Sequence, residues 1–284
     1  MSRKYTLPTV IILSGGLGTR IFPKTKNIPK SLIKINSKPF LYYQLNLLKK
    51  KKFKKVIICT CYKSKLIENY IKKSNFNLDI LISNDGNKQL GTGGAIKKIL
   101  KKLDDDFFVV FGDSYLDINY TKIYNQYLNL KKINLITSQK YKKFFENYSI
   151  KPEMIVHNNK IIEYKNLKKK MTHIYYGVGI FNKIAFNNIN KNSFDLHFFF
   201  KKMILKKNLL SYQVSKKFFE IGSKFGLKEA KLFLKKNMDE FIKNYLLNTS
   251  EVISSVNQKI IKKIISSLKK IKKNGGRIFF LGVG

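Results

Sequence analysis

The sequence predicts an α/β protein, with a mostly parallel sheet, a smaller antiparallel extension and a C-terminal helical tail. Three observations lead there. Apolar, strand-like runs alternate with helical patterns as far as residue 137. From about 144 to 215 the strand-like runs are short and separated by polar turns. Beyond about 240 the apolar residues fall mostly three and four apart.

The elements follow in order. Val10-Ile11-Ile12-Leu13 is a buried strand that feeds a glycine-rich turn, Gly15-Gly16-Leu17-Gly18. Helical patterns at 39–48, 66–71 and 94–103 are interleaved with strands at 56–60, 78–82 and 107–111. Residues 128–130 lie near the end of another helix, and a strand follows at 133–137. Ligands of such sheets bind beyond the carboxyl ends of the strands, where the glycine turn and the segment after Phe111 both sit. Strands at 154–156, 160–164 and 175–181 make the antiparallel extension, which would carry an acceptor substrate, with Asn158-Asn159 as a hairpin turn. A helix at 226–236 closes this part. Val252, Ile253, Val256, Ile260, Ile264, Leu268 and Ile271 then describe one long amphipathic helix, stopped by Asn274-Gly275-Gly276. A buried strand at 278–283 follows.

Composition bounds the function. The 284 residues are 44% hydrophobic, enough for one large or two modest domains. No run reaches the roughly 20 apolar residues of a membrane span, and no apolar segment follows the basic N-terminus. The cytoplasm is therefore the expected compartment, with no membrane partner. The formal charge of +40 suggests nucleic acid at first sight. Yet the only arginines are Arg3, Arg20 and Arg277, and the lysines are spread along the whole chain. A nucleic-acid reader clusters its basic residues and uses arginine forks, so compositional drift toward lysine is favoured and nucleic acid disfavoured. Cys59 and Cys61 flank Thr60 without a second pair to complete a zinc site, and read as core thiols.

The turn after the first strand carries the chemistry. Backbone N–H groups exposed at the end of a strand bind anions, and Arg20 adds a cation that grips phosphate in a fork. Lys30, behind Pro29, adds a second charge. No Gly-Lys-Ser/Thr closes a P-loop, and the third glycine of a dinucleotide fingerprint would fall on Ile21. From Gly15 to Lys30 the chain fills every position of Gly-Gly-x-Gly-Thr-Arg-x-x-Pro-x-Thr-x-x-x-Pro-Lys. It thereby resembles the sugar-1-phosphate nucleotidylyltransferases. Ser14 stands where that family usually has alanine, and Ser31 where it often has proline. The resemblance spans roughly residues 8–236 and implies a Rossmann-like fold of the nucleotide-diphospho-sugar transferase type.

Further segments extend it. Asp113 follows the apolar strand at 107–111 and Gly112, where the family places a metal-binding aspartate. Glu220, in Phe218-Phe-Glu-Ile-Gly-Ser223, stands where a second metal-binding acid is usual. Hard carboxylate ligands and phosphates suit Mg²⁺. Asp117 supports the metal or faces solvent. The segment Gln89-Leu-Gly-Thr-Gly-Gly-Ala95 is placed by the resemblance beside the base and ribose, and glycines ahead of a helix let backbone approach a ligand. The implied nucleotide contacts are Leu13, Gly15, Gly16, Gly18, Thr19, Gly91 and Thr92. Lys165 stands for the lysine that holds the acceptor phosphate, although Tyr164 and Asn166 depart from the usual glutamate and proline. Gly177 belongs to the strand that lines the sugar pocket. The implied catalytic set is Arg20, Lys30 and Asp113. The three histidines, His157, His173 and His197, need no catalytic role.

The implied reaction transfers a nucleotidyl group, GMP from GTP, to a sugar 1-phosphate, with release of pyrophosphate. The nucleoside triphosphate and the sugar 1-phosphate are the expected partners, and a homo-oligomer stays open. The phrases Leu-Gly-Thr-Gly-Gly-Ala, Met171-Thr-His-Ile-Tyr-Tyr-Gly177 and Phe-Glu-Ile-Gly-Ser resemble most the D-glycero-α-D-manno-heptose 1-phosphate guanylyltransferases, with mannose-1-phosphate guanylyltransferases or other nucleotide-sugar pyrophosphorylases as the alternative. The reading of a different class is a non-catalytic, polyanion-binding regulator. Steep salt dependence would mark that reading, and Mg²⁺-dependent nucleotide binding the enzyme. The expected domains are 1–236, the transferase, and 237–284, which resembles the truncated start of a sugar isomerase (SIS) domain or is a private appendage.

Overall fold

Val10–Leu13 forms the first strand, β1, and all four of its side chains are buried. The alternation of a strand sends them to opposite faces. Val10 and Ile12 pack with Leu41, Leu45, Ile123 and Tyr127, and Ile11 and Leu13 with Ile96, Phe199 and Phe200. A strand covered on both faces reads as a continuous apolar run. The computed structural model describes residues 6–86, 88–166, 168–187, 189–255 and 257–277. The chain divides into two compact units, Met1–Leu232 and Phe233–Gly284.

After β1 come the small hairpin β2 (Lys34–Ile35) and β3 (Lys38–Pro39), α1 (Phe40–Lys50), β4 (Lys55–Thr60), α2 (Ser64–Lys72) and β5 (Asp79–Asn84). Next are α3 (Gly91–Lys98), β6 (Asp106–Phe111), β7 (Ser114–Tyr115), α4 (Tyr120–Asn129) and β8 (Asn134–Lys140). Strands β9 (Met154–His157), β10 (Lys160–Tyr164) and β11 (His173–Asn182) precede α5 (Ile184–Asn187), α6 (Leu196–Leu205), β12 (Leu209–Gln213) and β13 (Phe219–Glu220). Helices α7 (Lys224–Ser255) and α8 (Gln258–Lys273) end the described chain.

Nine strands form one sheet in the order β5-β4-β1-β6-β11-β8-β12-β10-β9. Following the pairings across it, all run the same way except β11 and β10, so the sheet is mixed but mostly parallel. The chain builds outward from β1 through β4 to β5, then returns to lay β6 on the other edge of β1. Strand order reverses there, which opens a crevice at the carboxyl ends of β1 and β6.

Several expectations need correction. The antiparallel strands β10 and β9 extend the far edge of the main sheet, whereas the longest, β11, lies inside it between β6 and β8. Gly177, at φ +101°, sits where the register with β8 shifts. That break, a bulge-like bend, lets the start of the strand meet β9 and its end meet β6. The helix expected at 94–103 begins at Gly91 instead. The single long helix through 252–271 is interrupted, since Asn257 caps α8 by accepting from the Lys259 N–H at 2.9 Å. Cys59 is core, and burial pushes its thiol up to about 12, whereas Cys61 lies past the end of β4 and is only half-buried. Asn158 and Asn159 both adopt positive φ, the signature of a two-residue type I′ hairpin turn. The strand at 278–283 lies outside the described residues. Among the described residues no helix is long and apolar enough to cross a membrane.

Two glycines of the segment 89–95 serve packing. The Gly93 and Gly94 amides both donate to the Phe194 carbonyl, at 2.9 and 3.0 Å. A Cβ on Gly94 would lie 2.5 Å from the Asn192 carbonyl oxygen, and one on Gly93 would enter the Phe194 ring. Backbone cannot retreat as a side-chain tip can. Gly94→Ala is therefore expected to cost about 1–3 kcal/mol of stability by overpacking, read as a lowered midpoint in urea unfolding. An unchanged midpoint would show that the 192–194 segment yields freely.

Candidate active site

The turn after β1 is built by reciprocal steric fits. The Ser14 amide donates to the Cys59 carbonyl at 2.8 Å, and the Gly112 amide to the Leu13 carbonyl at 2.8 Å. A Cβ at Gly112 would sit 2.9 Å from that same carbonyl oxygen, so only glycine lets β1 and β6 end side by side. Gly18 has φ +69°, and a Cβ there would lie 2.7 Å from the Thr25 methyl. The Thr25 hydroxyl donates to the Gly18 carbonyl at 2.9 Å. Glycine and threonine of the signature thus specify one another. The Tyr62 hydroxyl anchors the far side of the loop on the Lys26 carbonyl at 2.7 Å. Thr19 and Arg20 open the short 3₁₀ turn Thr19–Ile21, pinned by buried Ile21.

The two departures from the signature touch each other. The Ser14 hydroxyl donates to the Ser31 hydroxyl at 2.8 Å, and both side chains are buried. A hydroxyl introduced alone at either place would be an unpaired buried polar group.

Four charged side chains converge from distant segments. Lys30 begins the 3₁₀ turn Lys30–Leu32 and donates to Asp113 Oδ2 at 2.9 Å. β13 pairs with β7, Glu220 opposite Ser114, and the Ile221 amide donates to the Asp113 carbonyl at 2.9 Å. That small ladder sets Glu220 beside Asp113. A Cβ placed on Gly222 would lie 2.6 Å from Glu220 Oε2, 3.0 Å from Arg20 Nη2 and 3.3 Å from Asp113 Oδ2. Glu220 accepts from the Gly222 amide and the Ser223 hydroxyl. Burial pushes its carboxyl above the usual range, and the Asp113 charge adds to the rise. The Ser223 and Gly222 hydrogen bonds and the Arg20 guanidinium pull it back. Glu220 is buried and Asp113 partly exposed, and Lys30 and Arg20 lie beside the two carboxylates. Among the described residues no cluster of three or more His, Cys, Asp or Glu side chains could hold a metal. Asp117 belongs to neither set, because Lys51 and Lys216 engage it at 2.5 and 2.8 Å.

Beside these charges lies a cavity of about 250 Å³ at the carboxyl ends of β1, β4 and β6. Leu13, Gly15, Gly16, Lys30, Gly91, Thr92 and Asp113, all named from the sequence, line it. Gly18, Thr19, Arg20 and Glu220 do not; the first two shape the turn, and the last two meet at Gly222. Lys165 and Gly177 also lie off its wall. Lys165 pairs with Glu153 at 3.5 Å, and the Tyr175 amide donates to Glu153 Oε1 at 3.3 Å. The Tyr175 ring meets that of Phe111, a wall residue, edge to face with centroids 5.7 Å apart. Lys165 is therefore connected to the cavity through Glu153 and Tyr175. The Tyr164 hydroxyl is hydrogen-bonded to His197 Nδ1.

Sequence reasoning missed Asp85 and Asp195, both on the wall. Asp195 Oδ1 accepts from the Thr92 amide at 3.2 Å and the Thr92 hydroxyl at 3.4 Å, and the Leu196 amide donates to that hydroxyl at 2.8 Å. An anion at the N-terminus of α3 is favoured by its dipole. The available signal was the scarcity of acids in the chain.

A reversal of strand order with a glycine turn and charged side chains at the strand ends is the geometry that nucleotide-handling α/β enzymes use. Residues 9–144 match the nucleotidyl transferase family. D-glycero-α-D-manno-heptose 1-phosphate guanylyltransferase of Campylobacter jejuni is 42% identical over 129 residues, 45% of this chain and 57% of its own length. The enzyme of the same description from Aneurinibacillus thermoaerophilus is 33% identical over 205 residues, 69% of this chain and 86% of its own. The crystal structure of HddC from Yersinia pseudotuberculosis superposes with a TM-score of 0.68 at 25% identity, covering 80% of this chain and 100% of that one. The same protein complexed with GMP-PN gives a TM-score of 0.68 at 26% identity. The chain belongs to the nucleotidyl transferase family.

Two outcomes follow from this geometry. Ser14→Ala or Ser31→Ala alone should each destabilise the fold, and the double variant should lose less than their sum. The coupling expected from one buried hydrogen bond is about 1 kcal/mol, measured by a double-mutant cycle in urea; strict additivity would mean that the pair contributes nothing. The second concerns Glu220. Its raised pKa means the folded protein keeps a proton there to higher pH than the unfolded chain does. Ionising it as pH rises therefore lowers stability. Without divalent cations, Glu220→Gln should melt with the wild type near the ordinary glutamate pKa of about 4.3 and a few degrees above it at neutral pH. A neutral-pH loss would mean that attraction to Arg20 outweighs burial.

Proposed function

We propose that this chain transfers GMP from GTP to a sugar 1-phosphate, D-glycero-α-D-manno-heptose 1-phosphate, and releases pyrophosphate. The observation that carries this reading is the meeting of Arg20, Lys30, Asp113 and Glu220 beside a cavity floored by the glycine turn. The names of the two heptose 1-phosphate guanylyltransferase relatives and the GMP-PN held by the HddC structure support the choice of base and sugar.

In this mechanism an oxygen of the sugar phosphate attacks the α-phosphorus in line. The new P–O bond forms as the bond to the β-bridging oxygen breaks, and pyrophosphate leaves with that electron pair. A phosphate monoester is already ionised near pH 7, so no general base is required. The obstacle is repulsion between two anions. Lys30 holds its ammonium at the strand ends, Arg20 sets a guanidinium beside the carboxylate pair, and the backbone N–H groups of Gly15 and Gly16 face the triphosphate. Lys165 serves the acceptor's phosphate, held ready by Glu153. Asp113 and Glu220 suit Mg²⁺, which takes one or two carboxylates and completes its shell with phosphate and water. When bound, that ion neutralises charge on the transferring and leaving phosphoryl groups. Positioning and charge thus account for the rate.

The domain reading accompanies this one. Residues 1–236 make the transferase, and 237–284 start a sugar isomerase (SIS)-like domain, a reading supported by amphipathic α8 and the left-handed Gly275 that follows it.

Pyrophosphate release from each nucleoside triphosphate, against a panel of sugar 1-phosphates with and without Mg²⁺, tests the proposal. GTP with the heptose 1-phosphate and Mg²⁺ should be the productive combination. Arg20→Ala should lower turnover by roughly 100-fold or more, as loss of a transition-state charge donor does, with folding intact because its side chain is exposed. Asp113→Asn should abolish Mg²⁺-dependent turnover, and Glu220→Gln reduce it less. A folded Arg20→Ala chain of normal activity would remove the central assignment.

A further inference from the structure

The pole of the sheet opposite the active-site cavity carries a second cavity, of about 380 Å³. It lies where β8 and β12 begin and β11 ends, since Leu209 pairs with Asn134, and Asn182 with Asp106, the first residue of β6. The six residues of β6 span roughly 20 Å between the two poles. Three turns meet at this second cavity, and each sets an apolar side chain beside a lysine. Lys132 precedes Ile133 between α4 and β8, Lys183 precedes Ile184 between β11 and α5, and Leu205 precedes Lys206 between α6 and β12. Ile133, Ile184 and Met203 give the cavity an apolar lining. Leu205 is 84% exposed and Ile184 66%, the two most exposed large apolar side chains among the described residues. One exposed leucine needs no explanation, but here the two extremes of the chain fall on one pole, around one cavity.

Lysine is frequent everywhere in this chain, so the exposed apolar pair is the distinguishing feature, and the lysines set the charge of what it meets. Asp106 engages Lys132 and Asp105 engages Lys183, both at 2.8 Å. Lys131, Lys206 and Lys207 form no ion pair among the described residues. A second copy of the chain would bring the same cations against these, which opposes self-association through this pole. A soluble anion seated in the cavity would leave Leu205 in water. An anionic bilayer satisfies both features, because its acyl boundary takes apolar side chains while its phosphates meet the lysines. A surface that lies on a membrane needs no spanning helix. We propose that this pole docks on an anionic phospholipid surface, with Leu205 and Ile184 entering the acyl boundary and Lys131, Lys206 and Lys207 facing the headgroup phosphates. The active-site cavity then sits at the pole away from the bilayer. This docking is independent of which nucleotide the site transfers.

The chain contains no tryptophan, so Leu205→Trp places a single fluorophore on this pole. Its emission should shift to the blue with vesicles of mixed phosphatidylcholine and phosphatidylglycerol, and stay unmoved with phosphatidylcholine alone. Phe144→Trp, beyond the carboxyl end of β8, should shift with neither. In co-sedimentation of the full chain with the mixed vesicles, the double variant Ile184→Gln, Leu205→Gln should bind roughly 100-fold more weakly, about tenfold for each side chain withheld from the acyl boundary. Both positions face solvent, so the variant should melt with the wild type. A net charge of +40 draws the chain to any anionic surface. Equal shifts at the two tryptophans, or binding that ignores the double variant, would therefore mean adsorption by charge alone and overturn the assignment. Binding to polyglutamate that the double variant weakens, without a blue shift on vesicles, would give the patch to an acidic protein and overturn it as well.

Discussion

The amide of Gly112 reaches the carbonyl of Leu13 across 2.8 Å, and the rest of the site hangs on that contact. It brings the carboxyl ends of β1 and β6 together at the point where strand order reverses. The glycine turn leaves from one end and Asp113 from the other. Because a Cβ has no room at Gly112, the two segments cannot spread apart around a side chain. Lys30 then spans them with its hydrogen bond to Asp113, and the β7–β13 ladder carries Glu220 to the same place. Each charged group arrives on a short element whose own length leaves it little freedom.

What was legible in the sequence was local. The strand before the turn is apolar because both of its faces are covered, and Gly18 and Thr25 answer to each other within a few positions. Seven named residues do line one cavity. What was not legible depends on distant pairing. Nothing in residues 173–182 says that this strand enters the main sheet beside β6, since the Gly177 break that permits it looks like an ordinary glycine in the chain. Asp195 reaches the cavity through a hydrogen bond to Thr92, more than a hundred positions away. Nothing in the run Gly93-Gly94 says that the space these glycines leave is filled by the 192–194 segment.

Departures from a family signature look like noise when taken singly. Here Ser14 and Ser31 are one event, since each hydroxyl satisfies the other in a buried place. The Tyr164–His197 contact has the same form, with a side chain that departs from the usual pattern meeting a partner some thirty positions on. Such pairs are physically coupled, and neither member is neutral by itself.

The charge balance has a last consequence, best put as information. With 57 basic and 17 acidic residues, a lysine is the expected letter at almost any exposed position and says little about why it is there. An acid is an improbable letter. Several are absorbed by lysine partners, as Asp105, Asp106, Asp117, Glu163 and Glu229 are. Asp85, Asp195 and Glu220 form no ion pair among the described residues. In a polypeptide so biased toward lysine, the meaning of the surface lies in its rare negative charges, and those three lie on the cavity wall or beside Asp113, which does.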